Sequence, residues 1–206
     1  MKKLFLSAAC LCAGCAMIAQ KYPEPEFANE IYFFKKDSAT LMRLEKGSSK
    51  MDTRVKMAGL GGAESGYEIE GEKSPVRLSN GRGLSFILFK GSTGSSNFMD
   101  SMMRANGMDP SAMKEMSDPA NMISLYRVAP VKDKRKVYLQ KSGGMFSANK
   151  NQSSDKYTFS VKKVREGYWE LLVDKTLSRG EYAFTMMNMG MGNMDGSMLL
   201  FAFAVD

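Results

Sequence analysis

Short segments in which apolar and polar side chains alternate are the feature of this chain that most restricts its fold. In residues 157–162 the odd positions are Tyr, Phe and Val, whereas the even positions are Thr, Ser and Lys. A period of two residues is typical of a half-buried antiparallel β-strand, because a shift of one residue in register would expose every apolar side chain. The pattern therefore predicts strands with a defined inward face.

The same alternation recurs along most of the chain, between turn-forming sequences such as Asn80-Gly81. The predicted strands cover residues 31–34, 39–44, 67–70, 84–89, 122–128, 136–140, 157–164, 168–173, 181–187 and 198–205. About ten strands without a long amphipathic helix between them argue against βαβ units. We predict an all-β fold, a two-sheet antiparallel, Greek-key-like β-sandwich that spans residues 27–206.

One segment interrupts the strand pattern. Residues 91–119 begin with a Gly- and Ser-rich stretch, continue with methionines at helical spacing, and contain two Asp-Pro pairs. This composition predicts a short Met-rich, partly helical insertion between two strand-rich halves. The sequence leaves open whether the halves form two sub-domains, although the length fits one hydrophobic core.

The start of the chain has the pattern of a secretory signal peptide. Lys2 and Lys3 precede a short apolar run, which is too short to span a bilayer. We predict a signal peptide over residues 1–19, cleavage after Ala19 and a proline-containing linker over residues 20–26. The alternative is lipidation at Cys15, since Ala13-Gly14-Cys15 resembles the end of a lipobox. Both routes predict export to the periplasm, the cell surface or the medium.

A six-residue motif near the C-terminus refines the predicted architecture. Residues 177–182, Leu-Ser-Arg-Gly-Glu-Tyr, resemble the Leu-x-Pro-Gly-x-Tyr tyrosine corner of fibronectin type III and related Greek-key sandwiches, with Arg179 in place of Pro. The resemblance implies that the Tyr182 hydroxyl bonds to a backbone group upstream. The exported start and strand-rich body also resemble uncharacterised secreted proteins of Bacteroidota. Neither resemblance implies an activity.

Two residue types are missing from the predicted mature chain. All three cysteines, Cys10, Cys12 and Cys15, lie in the signal region, and the chain has no histidine. Structural disulfides, the usual zinc and iron ligand sets, and Ser-His-Asp or Cys-His catalysis are therefore excluded. The sequence favours a protein that is not an enzyme and needs no cofactor, with a histidine-free hydrolase as a minor alternative.

The net charge argues against nucleic acid as a partner. Loss of Lys2 and Lys3 with the signal peptide reduces the number of Lys and Arg residues from 29 to 27. The 22 Asp and Glu residues remain, so the net charge of the mature chain is +5. One basic cluster, in residues 132–136, has no interleaved aromatic residues that could stack on bases. We predict that this cluster, Lys132, Lys134, Arg135 and Lys136, forms a solvated hairpin tip.

Methionine is the strongest compositional anomaly. The chain has 19 methionines, and without Met1 and Met17 the mature chain keeps 17. Thioethers are soft ligands that select Cu(I), and the spacing in residues 186–198 resembles the methionine motifs of periplasmic copper-resistance proteins. The candidate ligands for Cu(I) or Ag(I) are Met189, Met191, Met194 and Met198. Packing of irregular gaps and reversible oxidation are the other two interpretations.

Two further patterns have ordinary structural interpretations. Residues 68, 70 and 72 are glutamates on one face of a predicted strand, which is typical of a solvated face, although paired carboxylates also serve glycosidases. Four aromatic residues in strands offer a sugar-stacking platform or, more simply, core packing. These residues are Tyr126, Tyr138, Tyr168 and Trp169.

These observations predict an exported, non-catalytic module that binds a protein or a glycan at the cell envelope. The alternative function is a Met-rich Cu(I)-binding protein. The sequence predicts no transmembrane span and leaves the natural ligand and the oligomeric state open.

Overall fold

The computed structural model describes residues 22–56, 62–90, 101, 104–107, 109, 118–143, 152–187 and 196–206. The predicted signal peptide and most of the predicted insertion lie outside these residues. The described part of the chain contains the short helix α1 (Pro119–Met122). Its strands are β1 (Glu30–Lys35), β2 (Thr40–Arg43), β3 (Glu45–Ser49), β4 (Asp52–Val55), β5 (Ala63–Glu70), β6 (Arg77–Leu78), β7 (Ser85–Phe89), β8 (Ile123–Val131), β9 (Lys134–Lys141), β10 (Lys156–Tyr157), β11 (Phe159–Arg165), β12 (Tyr168–Val173), β13 (Gly180–Met187) and β14 (Met198–Val205).

The strands form two sheets that pack face to face, which confirms the predicted all-β sandwich. The smaller sheet has the order β11-β12-β7-β1-β2, and all of its pairs are antiparallel. The larger sheet follows the order β3-β14-β13-β8-β9-β5-β4, with β10 paired to β8 and β6 paired in parallel to β14. No helix among the described residues is long and apolar enough to cross a membrane.

The main core lies between the two sheets and is rich in phenylalanine. Phe86 from the smaller sheet contacts Phe184 and Phe203 from the larger sheet, with ring centroids 4.9 and 5.0 Å apart. All three side chains are fully buried. Burial of one such side chain contributes about 1.5–3 kcal/mol to stability. The alternating residues of the predicted strands therefore supply the main stabilising contacts between the sheets.

The predicted tyrosine corner is present. The Tyr182 hydroxyl donates a hydrogen bond to the Ser178 carbonyl at 2.7 Å, four residues upstream. Leu177 is buried in the main core, and its backbone N–H donates to the Gly81 carbonyl. The corner thus fixes the connection that leads into β13.

The larger sheet curls strongly. Its order places β3 and β4 at opposite ends, yet only two residues separate Ser49 from Asp52. Three residue steps span at most about 10 Å, whereas six flat strand spacings would span about 29 Å. The two ends must therefore approach each other, and the Glu68 N–H donates to Ser49 Oγ across the gap at 3.0 Å. The concave face encloses a second apolar cluster around Tyr67, Ile69, Val128, Val137 and Leu200.

The N-terminal segment 22–27 lies on the outer face of the smaller sheet. The Tyr22 ring stacks on Phe34 at 5.4 Å and meets Tyr168 edge-on at 5.8 Å. The Tyr168 hydroxyl donates to the Pro23 carbonyl at 2.7 Å, and Pro25 is buried. The residues predicted as a linker are therefore part of the packed fold from Tyr22 onward.

This covered face holds a buried carboxylate. Glu170 accepts hydrogen bonds from Ser85 Oγ at 2.7 Å and from the Tyr22 hydroxyl at 2.9 Å, and it pairs with Lys36. Burial acts to raise the pKa of Glu170, but these three donors outweigh burial and leave the pKa lowered. The pKa of Tyr22 rises to about 12 through burial and its bond to this carboxylate.

Candidate binding site

Two groups of basic residues lie on strands β8 and β9, and they differ in whether their charges are satisfied. We call the first the closed charge cluster: Arg135 and Lys136 with the carboxylates of Glu45, Asp52, Glu64, Glu68 and Glu181. Arg135 and Lys136 are each only 1% exposed. The prediction of a solvated tip is therefore wrong for these two residues, although Lys132 at the hairpin turn is exposed.

Arg135 uses all of its hydrogen-bond donors within the protein. Its Nε donates to the Gly71 carbonyl at 2.9 Å, and its two terminal nitrogens bind Glu45 at 2.6 and 2.9 Å. The remaining donors reach Glu181 at 3.4 Å and the Glu70 carbonyl at 2.8 Å. A guanidinium has five N–H groups, so none of them is left for an external anion.

Lys136 is enclosed by carboxylates on the opposite face of the sheet. Its Nζ lies 2.9 Å from Asp52, 3.6 Å from Glu68 and 3.8 Å from Glu64. The hydrogen bond from Lys136 lowers the pKa of Asp52 below its usual value. Burial acts to raise the pKa of Glu64, but Lys56 and Lys136 outweigh it and the pKa is lowered. This half of the cluster is also internally neutralised.

The second group borders a cavity where β8 and β9 separate. The two strands pair only from Ala129 to Val131. Beyond this point residues 152–157 lie between them: the Ser154 N–H donates to the Tyr138 carbonyl of β9, and the Arg127 N–H of β8 donates to the Asp155 carbonyl. A cavity of about 340 Å³ forms at this junction, which is within the usual size range of small-molecule sites.

Arg127 provides one cation at this cavity. Its guanidinium makes a single hydrogen bond among the described residues, to the Arg179 carbonyl at 3.2 Å. Four of its five N–H groups therefore lack a partner there. A Cβ added at Gly180 would lie 3.3 Å from two of the guanidinium nitrogens. The glycine of the tyrosine corner thus leaves room for this arginine.

Lys141 provides the second cation because of an irregularity in β9. Gly66 pairs with Tyr138, but the preceding Ser65 pairs with Gln140, so β9 contains one extra residue. The bulge brings Lys141 to the face that carries Tyr138, and its Nζ lies 5.0 Å from the Tyr138 ring centroid. A Cβ at Gly66 would lie 2.0 Å from the Val137 carbonyl oxygen, so this close approach requires glycine.

The cavity combines these cations with neutral polar groups. Gln152, Ser153 and Ser154 line it, and the Tyr138 hydroxyl makes no hydrogen bond to a described residue. Asp155 is the one carboxylate in the lining, so the charged side chains sum to +1. The arrangement can accept a negatively charged, hydroxyl-rich ligand through two cations and several donors.

The residues predicted as sites are dispersed. Tyr138 lines the cavity, whereas Tyr168 is fully buried and Tyr126 and Trp169 pack against the apolar clusters. Glu68 pairs with Arg54 and Lys134, as expected for a charged strand face.

The candidate metal and lipid residues are mostly outside the described part. Met189, Met191, Met194 and Cys15 are not among the described residues, and the half-buried Met198 packs against the second apolar cluster. Within the described ranges, no group of three or more Asp, Glu, His or Cys side chains could hold a metal ion. Cu(I) binding and lipidation therefore stay predictions.

Comparison with known proteins gives no further assignment. No family model matches the chain, and no curated protein and no solved structure is significantly similar to it. The functional argument therefore depends on the cavity and its side chains.

Proposed function

We propose that this chain is an exported, non-catalytic binding module and that the cavity between β8, β9 and residues 152–155 binds an acidic saccharide. The observation that carries the proposal is a pair of cations at a cavity of about 340 Å³. Among the described residues, Arg127 makes one hydrogen bond, and Lys141 contacts the Tyr138 ring without a salt bridge. Charged donors without partners are what a carboxylate or sulfate ligand requires, since a charge-assisted hydrogen bond is about twice as strong as a neutral one.

The neutral groups of the cavity support a sugar rather than a simple anion. The hydroxyls of Tyr138 and Ser153 can both donate and accept hydrogen bonds, and the Gln152 amide does so through separate atoms. Ala129 and Pro130 also line the cavity, and their apolar surfaces suit the C–H faces of a pyranose. A site that combines apolar walls with a few convergent polar groups is typical of small-molecule binding.

Calorimetric titration with matched sugars tests the proposal. We expect a uronic-acid trisaccharide to bind at least about tenfold more tightly than the neutral trisaccharide of the same linkage. Arg127→Ala and Lys141→Ala should each weaken binding of the acidic sugar by about tenfold, since a hydrogen bond to a charged group contributes about 1.5–3 kcal/mol.

Lys175→Ala is the matched control, because Lys175 is exposed and does not line the cavity. This variant should bind the acidic sugar as tightly as the unchanged protein does. Equal affinity for the acidic and neutral sugars would contradict the proposal, and so would an equal loss in all three variants.

A further inference from the structure

A second cavity opens at one end of the sandwich, between the two sheets. It lies between the β1–β2 turn and residues 77–84, and its volume is about 580 Å³. The β1–β2 turn belongs to the smaller sheet, whereas β6 within residues 77–84 pairs with β14 of the larger sheet. The cavity therefore enters the space between the sheets. It shares no lining residue with the cavity at the β8–β9 junction.

The floor of this cavity is continuous with the main core. Phe33 and Met42 lie directly opposite each other on β1 and β2, and both are half-buried against the core. Leu78 and Leu84 line the cavity from the other side and belong to the buried core cluster. An apolar ligand that enters here would extend contacts that the core already makes, which is favourable in proportion to the area removed from water.

The rim of the cavity has a net positive charge, because the lining holds four cations against the carboxylates of Asp37 and Asp206. Lys35 and Arg82 are exposed, and neither side chain has a hydrogen bond or ion pair among the described residues. Two further cations at the rim are already paired, Lys36 with Glu170 and Arg77 with Asp206. Lys35 and Arg82 are thus the rim cations that remain available to an external anion.

The backbone positions Arg82 at the opening. The Arg82 N–H donates to the Asn80 side chain at 2.9 Å, which forms a local turn. The Gly81 carbonyl accepts from the Leu177 N–H at 2.8 Å, and a Cβ at Gly81 would lie 1.9 Å from the Leu177 carbonyl oxygen. The connection that carries Arg82 is therefore held against the tyrosine corner of the larger sheet.

We propose that this cavity binds an anionic amphiphile, with the alkyl chain on the Phe33, Met42, Leu78 and Leu84 floor and the anionic head at Lys35 and Arg82. The ligand class is a free alkyl carboxylate or sulfate, for which decanoate is the probe. This site is independent of the saccharide site, because the two cavities share no lining residue.

Titration of the chain with sodium decanoate below its micelle concentration tests the proposal. Arg82→Ala and Lys35→Ala should each weaken decanoate binding by about fivefold to tenfold and leave 1-decanol binding unchanged. Hexanoate should bind at least about tenfold more weakly than decanoate, because each buried methylene contributes. Lys162→Ala, an exposed lysine on β11 outside the cavity, is the matched control and should retain full affinity.

Methionine methyl NMR locates the bound chain without relying on affinity. The Met42 methyl resonance, assigned with Met42→Leu, should shift on addition of decanoate. Met187, which is 58% exposed on β13 and does not line the cavity, should not shift. A shift of Met187 alone, or decanoate binding that Arg82→Ala and Lys35→Ala leave unchanged, would overturn the proposal.

Vesicle sedimentation distinguishes binding of a free amphiphile from binding to a membrane surface. If the protein sediments with phosphatidylglycerol vesicles but decanoate does not shift the Met42 resonance, the contact is a surface electrostatic one. That result would overturn the cavity site. Decanoate binding without vesicle binding would support the free amphiphile as the ligand. Failure of decanoate to bind would leave the saccharide titration unaffected, so the two proposals fail separately.

Discussion

Strand β9 carries two basic regions with opposite chemistry, the closed charge cluster at its start and the cavity at its end. At the start, Arg135 satisfies all five of its N–H groups inside the protein, and Lys136 faces three carboxylates. At the end, Lys141 lies over the Tyr138 ring and acts on Glu64 only at longer range, without a salt bridge to a described residue. Arg127 on the neighbouring strand makes one hydrogen bond to a described residue.

From this difference we infer that the number of donors left without partners, rather than the number of cations, is the better guide to a binding surface. A buried charge that keeps all of its partners holds strands together, because loss of one partner leaves the others desolvated and unpaired. An exposed charge without partners contributes little to folding and is available to a ligand. The following predictions test this distinction.

The largest expected effect is on folding. Arg135→Met should destabilise the protein by about 3–5 kcal/mol, because Glu45 and Glu181 would lose their buried cation. Arg127→Met should change the free energy of unfolding by less than about 0.5 kcal/mol, as is usual for an exposed residue without a structural role. Urea unfolding followed by circular dichroism measures both values.

If Arg135→Met does not fold, Glu45→Gln keeps this prediction testable, since it weakens the same bidentate pair while leaving the arginine in place. Similar stabilities for the Arg135 and Arg127 variants would contradict the distinction between the two regions.

Acid should weaken the closed charge cluster. The pKa values of Asp52 and Glu64 are lowered in the folded protein from 3.8 and 4.5. Their stabilising contribution is therefore complete above these unfolded values and is lost as the pH falls through the lower folded values. The urea midpoint should decrease between pH 5 and pH 3.

Two substitutions test whether the closed charge cluster causes the loss of stability in acid. Lys136→Met removes the ammonium that lowers both pKa values, so its urea midpoint should depend less on pH over this range. Lys162→Met, on the exposed edge strand β11, should keep the full pH dependence. The same pH dependence in all three proteins would argue against the cluster as its source.

The smallest expected effect concerns the methionines. Met198→Leu should change acidic saccharide affinity by less than about twofold, because Met198 packs against the second apolar cluster and does not line the β8–β9 cavity. A variant with Leu in place of all four candidate ligands, Met189, Met191, Met194 and Met198, serves the metal test. An anaerobic Cu(I) competition titration with a chromogenic chelator tests the alternative function. Tight stoichiometric Cu(I) binding that this variant loses would favour the metal-binding function.

Much of the fold could be predicted from alternation. The segments at 84–89, 168–173 and 198–205 have inward apolar residues, and they are central strands of the two sheets. The alternation does not predict β3 (Glu45–Ser49) and β4 (Asp52–Val55), because their residues are mostly polar. These strands lie at the ends of the curled sheet, where pairing depends on the neighbouring strand more than on burial.

The site was harder to predict. A run of basic residues is usually solvated, and nothing in residues 132–136 alone indicates that Arg135 meets Glu45 across the curled sheet. Lys141 reaches the cavity only because β9 contains a bulge, and Arg127 is exposed because Gly180 leaves it space. Both cations depend on contacts between residues far apart in sequence, which periodicity does not report.

The packed N-terminal segment has a practical consequence for handling the protein. A recombinant chain that starts at Phe27, the predicted domain boundary, would lack Tyr22 and Pro25 and would uncover the aromatic face formed by Phe34 and Tyr168. Exposed apolar patches of this kind promote self-association. We therefore expect a chain that starts at Phe27 to precipitate on concentration more readily than a chain that keeps Tyr22.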